Sequence, residues 1–506
     1  MHESFNAAVW LVDRHVDDVN GDRTAVICQD RTYTYAEVRT EVHRMAAALR
    51  AWGLRPEERV ALAMLDSMEF VATFLGAMRI GAVPVAMNPL LPGRDLAVIA
   101  ADARARLAVV SGAQADRVDD LRAGAPELTE VLLTDGAAWE RFQAAGEGGD
   151  AGAYDTWFES PGFWLCTSGS TGQPKLAAHR HGDIKVTCDT YAANILGTTS
   201  EDRFFSVGPM FHAYGLGNSL TFPFAVGATA ILEPTRPPTP QLVADIVTTH
   251  RPTLFFCIPT FYAALTASDL ADDTFASVRY GVSAAEPLPA ETFDRFKERF
   301  GVTILDGIGS TELLHIYLSN SPAATRAGTS GVPVPGYDVQ VVDEDGNPQP
   351  AGEPGQLLVK GDSVTTGYWC RSDTNKSTFA GEWMRTGDLY NRDEDGFYTY
   401  MGRVDDMLRV GGEWVSPAEV EGVLIEHDAV LEAAIVGERD EQAILRPVAY
   451  VIPMEGTDTS ALANTLTDFC RDRLAGFKRP RRYEIVSDLP KTATGKIQRF
   501  KLRQSG

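Results

Sequence analysis

The chain has 506 residues, 44% hydrophobic and 23% charged, with 69 acidic against 46 basic side chains and a formal net charge of −23. That length exceeds one ordinary core and implies several domains, while the negative balance argues against a nucleic-acid partner. Six cysteines (28, 166, 188, 257, 370 and 470) stand far apart with no CxxC pair, so the spacing suggests neither a zinc site nor a disulfide framework.

The opening Met1-His2-Glu3-Ser4 lacks the basic and apolar segments of a secretion signal. No later apolar run approaches the roughly 18 residues of a membrane span, so a cytoplasmic location is expected. Thr34-x-x-Glu37 is a capping box; it opens a helix with Val38, Val42, Met45 and Leu49 on one face, stopped near Gly53. Residues 59–65 read as a short apolar strand, 67–79 as a second helix, and Val83-Pro84-Val85 as another buried strand. Such alternation predicts an α/β sheet covered by helices. The stretches 144–153, rich in Gly and Ala, and 234–240, rich in Pro, read as surface loops.

From Gly336 the pattern changes. Residues 337–342 and 355–360, with a turn at Asp345-Gly346, predict a β-hairpin, and Asp395-Gly396 predicts another tight turn. After Gly402-Arg403 helix and strand return, over 417–425 and 433–436. A boundary here gives a large N-terminal domain over 1–403 and a small C-terminal α/β domain over 404–506.

The most informative segment is Thr167-Ser168-Gly169-Ser170-Thr171-Gly172-Gln173-Pro174-Lys175. Its glycines let backbone N–H groups approach a polyphosphate closely. Its hydroxyls add donors and a contact for magnesium. Lys175, the first of only nine lysines in the chain, adds a point charge. The apolar approach Phe163-Trp164-Leu165-Cys166 reads as a buried strand feeding this loop. The lysine does not directly follow the second glycine, so the loop is not a Walker A motif. A nucleotide site is expected.

Four further segments follow in order: Asp306-Gly307-Ile308-Gly309-Ser310-Thr311-Glu312, Thr386-Gly387-Asp388-Leu389, Gly402-Arg403-Val404-Asp405-Asp406, and Leu489-Pro490-Lys491-Thr492-Ala493-Thr494-Gly495-Lys496-Ile497. With the glycine-rich loop they resemble the signatures of the adenylate-forming superfamily, which spans acyl- and aryl-CoA synthetases, peptide-synthetase adenylation domains and luciferases. That resemblance implies an α/β fold: an N-terminal domain of two α/β subdomains plus a β subdomain, and a mobile C-terminal α/β domain. It implies that Lys496 bridges the substrate carboxylate and the α-phosphate, that Thr311 contacts that phosphate, and that Glu312 holds Mg²⁺, whose hardness suits carboxylate oxygens. Asp388 would accept from the ribose hydroxyls with Arg403 in support. Ala285-Glu286-Pro287 and Asp306-Gly307-Ile308 would line the adenine. The small domain would turn about Asp405, withdrawing Lys496 and bringing Gly411-Gly412-Glu413-Trp414 over a channel for the CoA thiol.

Phe211-His212-Ala213-Tyr214 occupies the substrate-selecting position. Amino-acid-activating relatives place an Asp there to pair with the ammonium, and Ala213 cannot do so. Together with Leu314-His315-Ile316 and Trp414-Val415-Ser416-Pro417, the wording is similar to the benzoate-CoA ligase subgroup. By that resemblance Ala213, Tyr214, Gly309, His315 and Ile316 form a flat aryl pocket, and His212 gates the thiol channel. Cys166, Leu176 and Ala285 depart from the usual pattern. The expected reaction joins a benzoate-like acid, ATP and CoA into aryl-CoA. Loading of a separate carrier protein, or diazotase-like activation of nitrite, stays open at this point. The expected assembly is a monomer or homodimer, with no membrane and no nucleic acid.

Overall fold

The computed structural model describes the whole chain except residues 1–2, 19, 150–151, 169–173, 405, 411–412, 440–444, 492–496 and 503–506. Three sheets fill the N-terminal part. A six-stranded sheet runs in the spatial order Glu130–Leu133, Leu107–Val110, Arg59–Ala63, Val83–Ala86, Pro161–Ser168, Pro174–Arg180. All its neighbours pair in parallel except the last two. Parallel pairing demands crossovers, and the helices Met68–Arg79 and Gly93–Asp102 supply two of them. A nine-stranded sheet has a parallel centre, Ile304–Gly309, Tyr280–Ser283, Leu254–Cys257, Arg203–Ser206, Thr229–Leu232 and Thr24–Cys28, flanked by antiparallel strands. The third sheet is antiparallel and includes the hairpin Tyr337–Val342 with Pro354–Gly361.

Local chemistry starts and stops these elements as the residues predict. Thr34 Oγ1 accepts the Glu37 N–H at 3.2 Å and Glu37 Oε2 accepts the Thr34 N–H at 2.7 Å, closing both halves of the capping box of helix Tyr35–Trp52. Gly53 ends that helix at φ 102°, a left-handed conformation in which a Cβ would strain. Ser67 caps Met68–Arg79 through the Phe70 N–H.

One continuous apolar core joins the three sheets, holding Leu62, Phe74, Phe163, Phe204, Phe222, Leu305, Leu357 and Tyr390. Residues from 408 onward build their own cores around the helices Pro417–Ile425 and Leu462–Arg471 and the sheet Val430–Arg439, Leu445–Pro453, Arg482–Ile485. The fold is therefore mixed α/β, with a large N-terminal part and a smaller C-terminal one. The six cysteines are free thiols. Among the described residues no helix is long and apolar enough to cross a membrane.

Candidate active site

The strand Pro161–Ser168 carries Phe163, Trp164 and Leu165 buried, and it delivers Thr167 to the start of the glycine-rich loop. Gly169, Ser170, Thr171 and Gly172 lie outside the described residues, as do the side chain of Ser168, the hinge residue Asp405, Gly411, Gly412, Lys496 and the side chain of Trp414. Lys175, on the returning strand Pro174–Arg180, sets its Nζ 4.7 Å from the centre of the Tyr368 ring. The Thr366 N–H donates to Ala178 O and the Trp369 N–H to Leu176 O, so the segment carrying Tyr368 runs along that strand.

Tyr368 links the loop lysine to the next signature. Its hydroxyl donates to Glu312 Oε1 at 2.6 Å, which fixes one carboxylate oxygen and leaves a hard donor of the kind that suits Mg²⁺. Glu312 sits in the short helical turn Thr311–Leu313, capped by Ser310 Oγ through the Leu313 N–H. Its carbonyl accepts the Thr365 N–H at 2.7 Å. The Thr311 carbonyl in turn lies 2.8 Å from Nε2 of His179. One strand residue, His179, and two groups of the 362–371 connection, the Thr365 N–H and the Tyr368 hydroxyl, thus hold one turn.

Asp388 and Arg403 stand directly opposite each other on paired antiparallel strands. Arg403 Nη1 donates to Asp388 Oδ1 at 2.8 Å and to Thr386 O at 2.9 Å. Asp388 is buried, and the arginine orients its carboxylate. Asp306 is buried beside Ser283 on the neighbouring strand, and burial pushes its carboxyl well above the usual carboxylate range. Ala285 is exposed at φ 78°, so the methyl that replaces glycine points away from packing even though the backbone is left-handed. Glu286, half-buried, has its carboxyl raised by desolvation. Leu176 fills the core against Val83 and Ile99, which gives its bulk a packing role. Cys166 is held as a thiol by burial, which pushes its pKa up to about 12.

Tyr214 and His315 come together as the sequence suggests, with ring centres 5.6 Å apart. The Tyr214 hydroxyl donates across two strands, 2.9 Å from Val282 O and 3.3 Å from Cys257 O. His315 is enclosed by Tyr191 at 5.1 Å and Phe222 at 4.5 Å, and its Nε2 lies 3.1 Å from Asn218 Oδ1. Burial drives its pKa down to about 3, so the ring is neutral at pH 7. Ala213 opens the short helix Ala213–Leu216, and His212 at its N-cap sets its ring edge-on to Phe211 at 4.7 Å. Ile316 packs over Gly307. At Gly309 a Cβ would lie 2.5 Å from the His315 carbonyl, so the closeness of the two strands requires a glycine there.

Several participants carry no sequence signal of their own. Tyr191, Tyr368 and the buried pair of Asp66 and Arg236 lie far in sequence from what they touch. Asp66 Oδ1 accepts the Met210 N–H at 2.9 Å, and Asp66 Oδ2 pairs with Arg236 Nη2 at 2.8 Å. His179 and Asp183 show only as an HxHxD run whose partner, Thr311, is 132 residues away.

Comparison with known proteins agrees with this geometry. Residues 12–369 match the family described as AMP-binding enzyme, and 419–496 match the AMP-binding enzyme C-terminal domain. The chain is 44% identical over 509 residues to a benzoate–CoA ligase of Thauera aromatica, covering 99% of this chain and 96% of that protein. A benzoate CoA ligase structure from Burkholderia xenovorans LB400 superposes with a TM-score of 0.91 at 42% identity, covering 99% and 100% of the two chains. The anthranilate CoA ligase AuaEII, solved with anthranoyl-AMP, superposes with a TM-score of 0.95 at 38% identity, covering 99% and 97%.

Proposed function

The chain belongs to the AMP-binding enzymes, and from that premise we propose that residues 1–403 bind ATP and a benzoate-class acid while 404–506 move to serve two reactions at one site. The protein is an AMP-forming acid–thiol ligase that activates an aryl carboxylate with ATP and passes the acyl group to CoA, with Mg²⁺ as the metal. The observation that supports a benzoate-class ring is the uncharged enclosure made by Tyr191, Ala213, Tyr214, Phe222, His315 and Ile316. An amino acid would leave its ammonium unpaired there, at a cost of several kcal/mol.

In the first reaction a carboxylate oxygen attacks the α-phosphorus and pyrophosphate leaves. Lys175 and the glycine-rich loop receive the outer phosphates, Thr311 contacts the α-phosphate, and Glu312, aimed by Tyr368, holds the cation that offsets the charge on those phosphates. Asp388, oriented by Arg403, accepts from the ribose hydroxyls, and Ala285 to Pro287 with Asp306 to Ile308 line the base. Lys496 bridges carboxylate and phosphate. In the second reaction the small domain turns at Asp405, Lys496 withdraws, and Gly411, Gly412 and Trp414 line the thiol's path past His212. The CoA sulfur attacks the acyl carbonyl and AMP departs with the shared electron pair. The reading places the enzyme with its soluble substrates in the cytoplasm.

A panel of benzoates, hydroxybenzoates, aminobenzoates and short fatty acids tests this reading through pyrophosphate release with and without CoA, with products weighed by mass. Aryl-CoA from one or a few small aromatic acids is expected. Pyrophosphate release indifferent to CoA would point to a carrier-protein acceptor, and release only with fatty acids would remove the ring from the pocket.

A further inference from the structure

The strand that returns from the phosphate loop ends in His179-Arg180, and the helix His181–Thr187 follows at once. The side chain of His179 is fully enclosed, its ring stacked on Phe163 at 5.2 Å and 15°. Nε2 lies 2.8 Å from the carbonyl oxygen of Thr311, and Nδ1 lies 2.9 Å from Oδ2 of Asp183. Asp183 also accepts the Arg180 backbone N–H at 3.0 Å and the Arg180 Nε–H at 2.9 Å, so its carboxylate is an acceptor on every side. Arg180 reaches outward to Glu159 at 2.8 Å. Acceptors face both ring nitrogens, so the imidazole bridges the Asp183 carboxylate and the Thr311 peptide carbonyl. One end of that bridge lies on the turn that carries Thr311 and Glu312.

We infer that His179, held by Asp183, is a positioning residue for adenylation that fixes the Thr311–Glu312 turn where the nucleotide phosphates and their Mg²⁺ arrive. The inference rests on the assignment of that turn to the phosphates in the proposed function. Tyr368 and the Thr365 N–H grip Glu312 itself, at 2.6 Å and 2.7 Å. Neither touches Thr311. Of the three, His179 alone reaches the first residue of the turn.

The test uses the full-length protein and three variants. His179→Phe keeps an aromatic ring against Phe163 and deletes both ring nitrogens; His179→Gln keeps an amide donor; Asp183→Asn keeps the shape and removes the carboxylate. Binding of α,β-methylene-ATP is measured by calorimetry at saturating Mg²⁺ and in EDTA, beside the KM for the aryl acid. Losing the partner of a metal-holding group typically costs about 10- to 100-fold in metal affinity. His179→Phe should therefore weaken the Mg²⁺-dependent part of analogue binding by about tenfold or more. Binding in EDTA and the aryl-acid KM should stay within about twofold on the same argument, with His179→Gln recovering part of the loss. Asp183→Asn should move in the same direction, and it decides the matter if His179→Phe does not fold. Glu312→Gln is run in parallel. If Glu312→Gln loses the Mg²⁺ dependence while the His179 and Asp183 variants keep it, the inference is wrong and the assignment of the turn stands. If Glu312→Gln keeps it too, the assignment falls and the inference with it. Equal losses for ATP, acid and thermal stability would make His179 a packing residue only.

Discussion

His315 decides how the aryl pocket responds to acid. Its ring is surrounded by Tyr191, Tyr214 and Phe222, and burial lowers its pKa to about 3 from an ordinary 6.5. The folded state therefore keeps the ring neutral, while the unfolded chain takes up a proton below pH 6.5. The stability tied to that difference is complete above 6.5 and is lost as pH falls toward 3. His181, also lowered to about 3 by burial, adds to the same window. Thermal melts of the wild type should drop steadily from pH 6.5 downward. His315→Gln, which cannot titrate, should drop less steeply over that range, and parallel curves for the two proteins would refute the assignment. A neutral His315 also cannot pair with the substrate carboxylate, which leaves that task to the phosphate end of the site.

At the scale of elements, the buried pair of Asp66 and Arg236 joins the end of a six-stranded-sheet strand to the loop that carries His212 and Ala213. Asp66 follows the strand Arg59–Ala63, and Arg236 follows Thr229–Leu232 of the nine-stranded sheet. Burial raises the Asp66 carboxyl against the pull of Arg236 and of the Met210 N–H. Such a pair adds little net stability over an apolar one, but breaking it strands a charge, at about 3–5 kcal/mol. Arg236→Ala should lower the unfolding free energy read from urea titration by an amount of that size. Asp66→Asn, whose amide oxygen can still accept from Met210, should lower it less. Equal free energies for Arg236→Ala and wild type would show that the pair is not buried in solution.

The same contrast explains what the chain discloses from its residues alone. Thr34 and Glu37 make their bonds within one helical turn, so local pattern is enough to find them, whereas Asp388 and Arg403, which face each other across one hairpin, are named only by the resemblance of their segments. The grip of His179 on Thr311, of Tyr368 on Glu312 and of Arg236 on Asp66 spans 132, 56 and 170 residues. No periodicity encodes such pairings, because they exist only after the sheets have been laid side by side. Gly309 marks a middle case. Its smallness is legible, but the strand packing against His315 that demands it is not.

At the scale of the whole molecule, three sheets share one core: Lys175 of one lies against Tyr368, whose hydroxyl holds Glu312 on the turn after a strand of the second, and Asp388 and Arg403 pair on the third. In the proposed reaction a benzoate oxygen attacks the α-phosphorus and CoA then displaces AMP. Benzoate labelled with ¹⁸O in both carboxyl oxygens, incubated with ATP, Mg²⁺ and CoA, tests this order of bonds by mass spectrometry of both products. One ¹⁸O is expected in AMP and one in the aryl-CoA carbonyl. Label in pyrophosphate or phosphate, or AMP without label, would contradict that order.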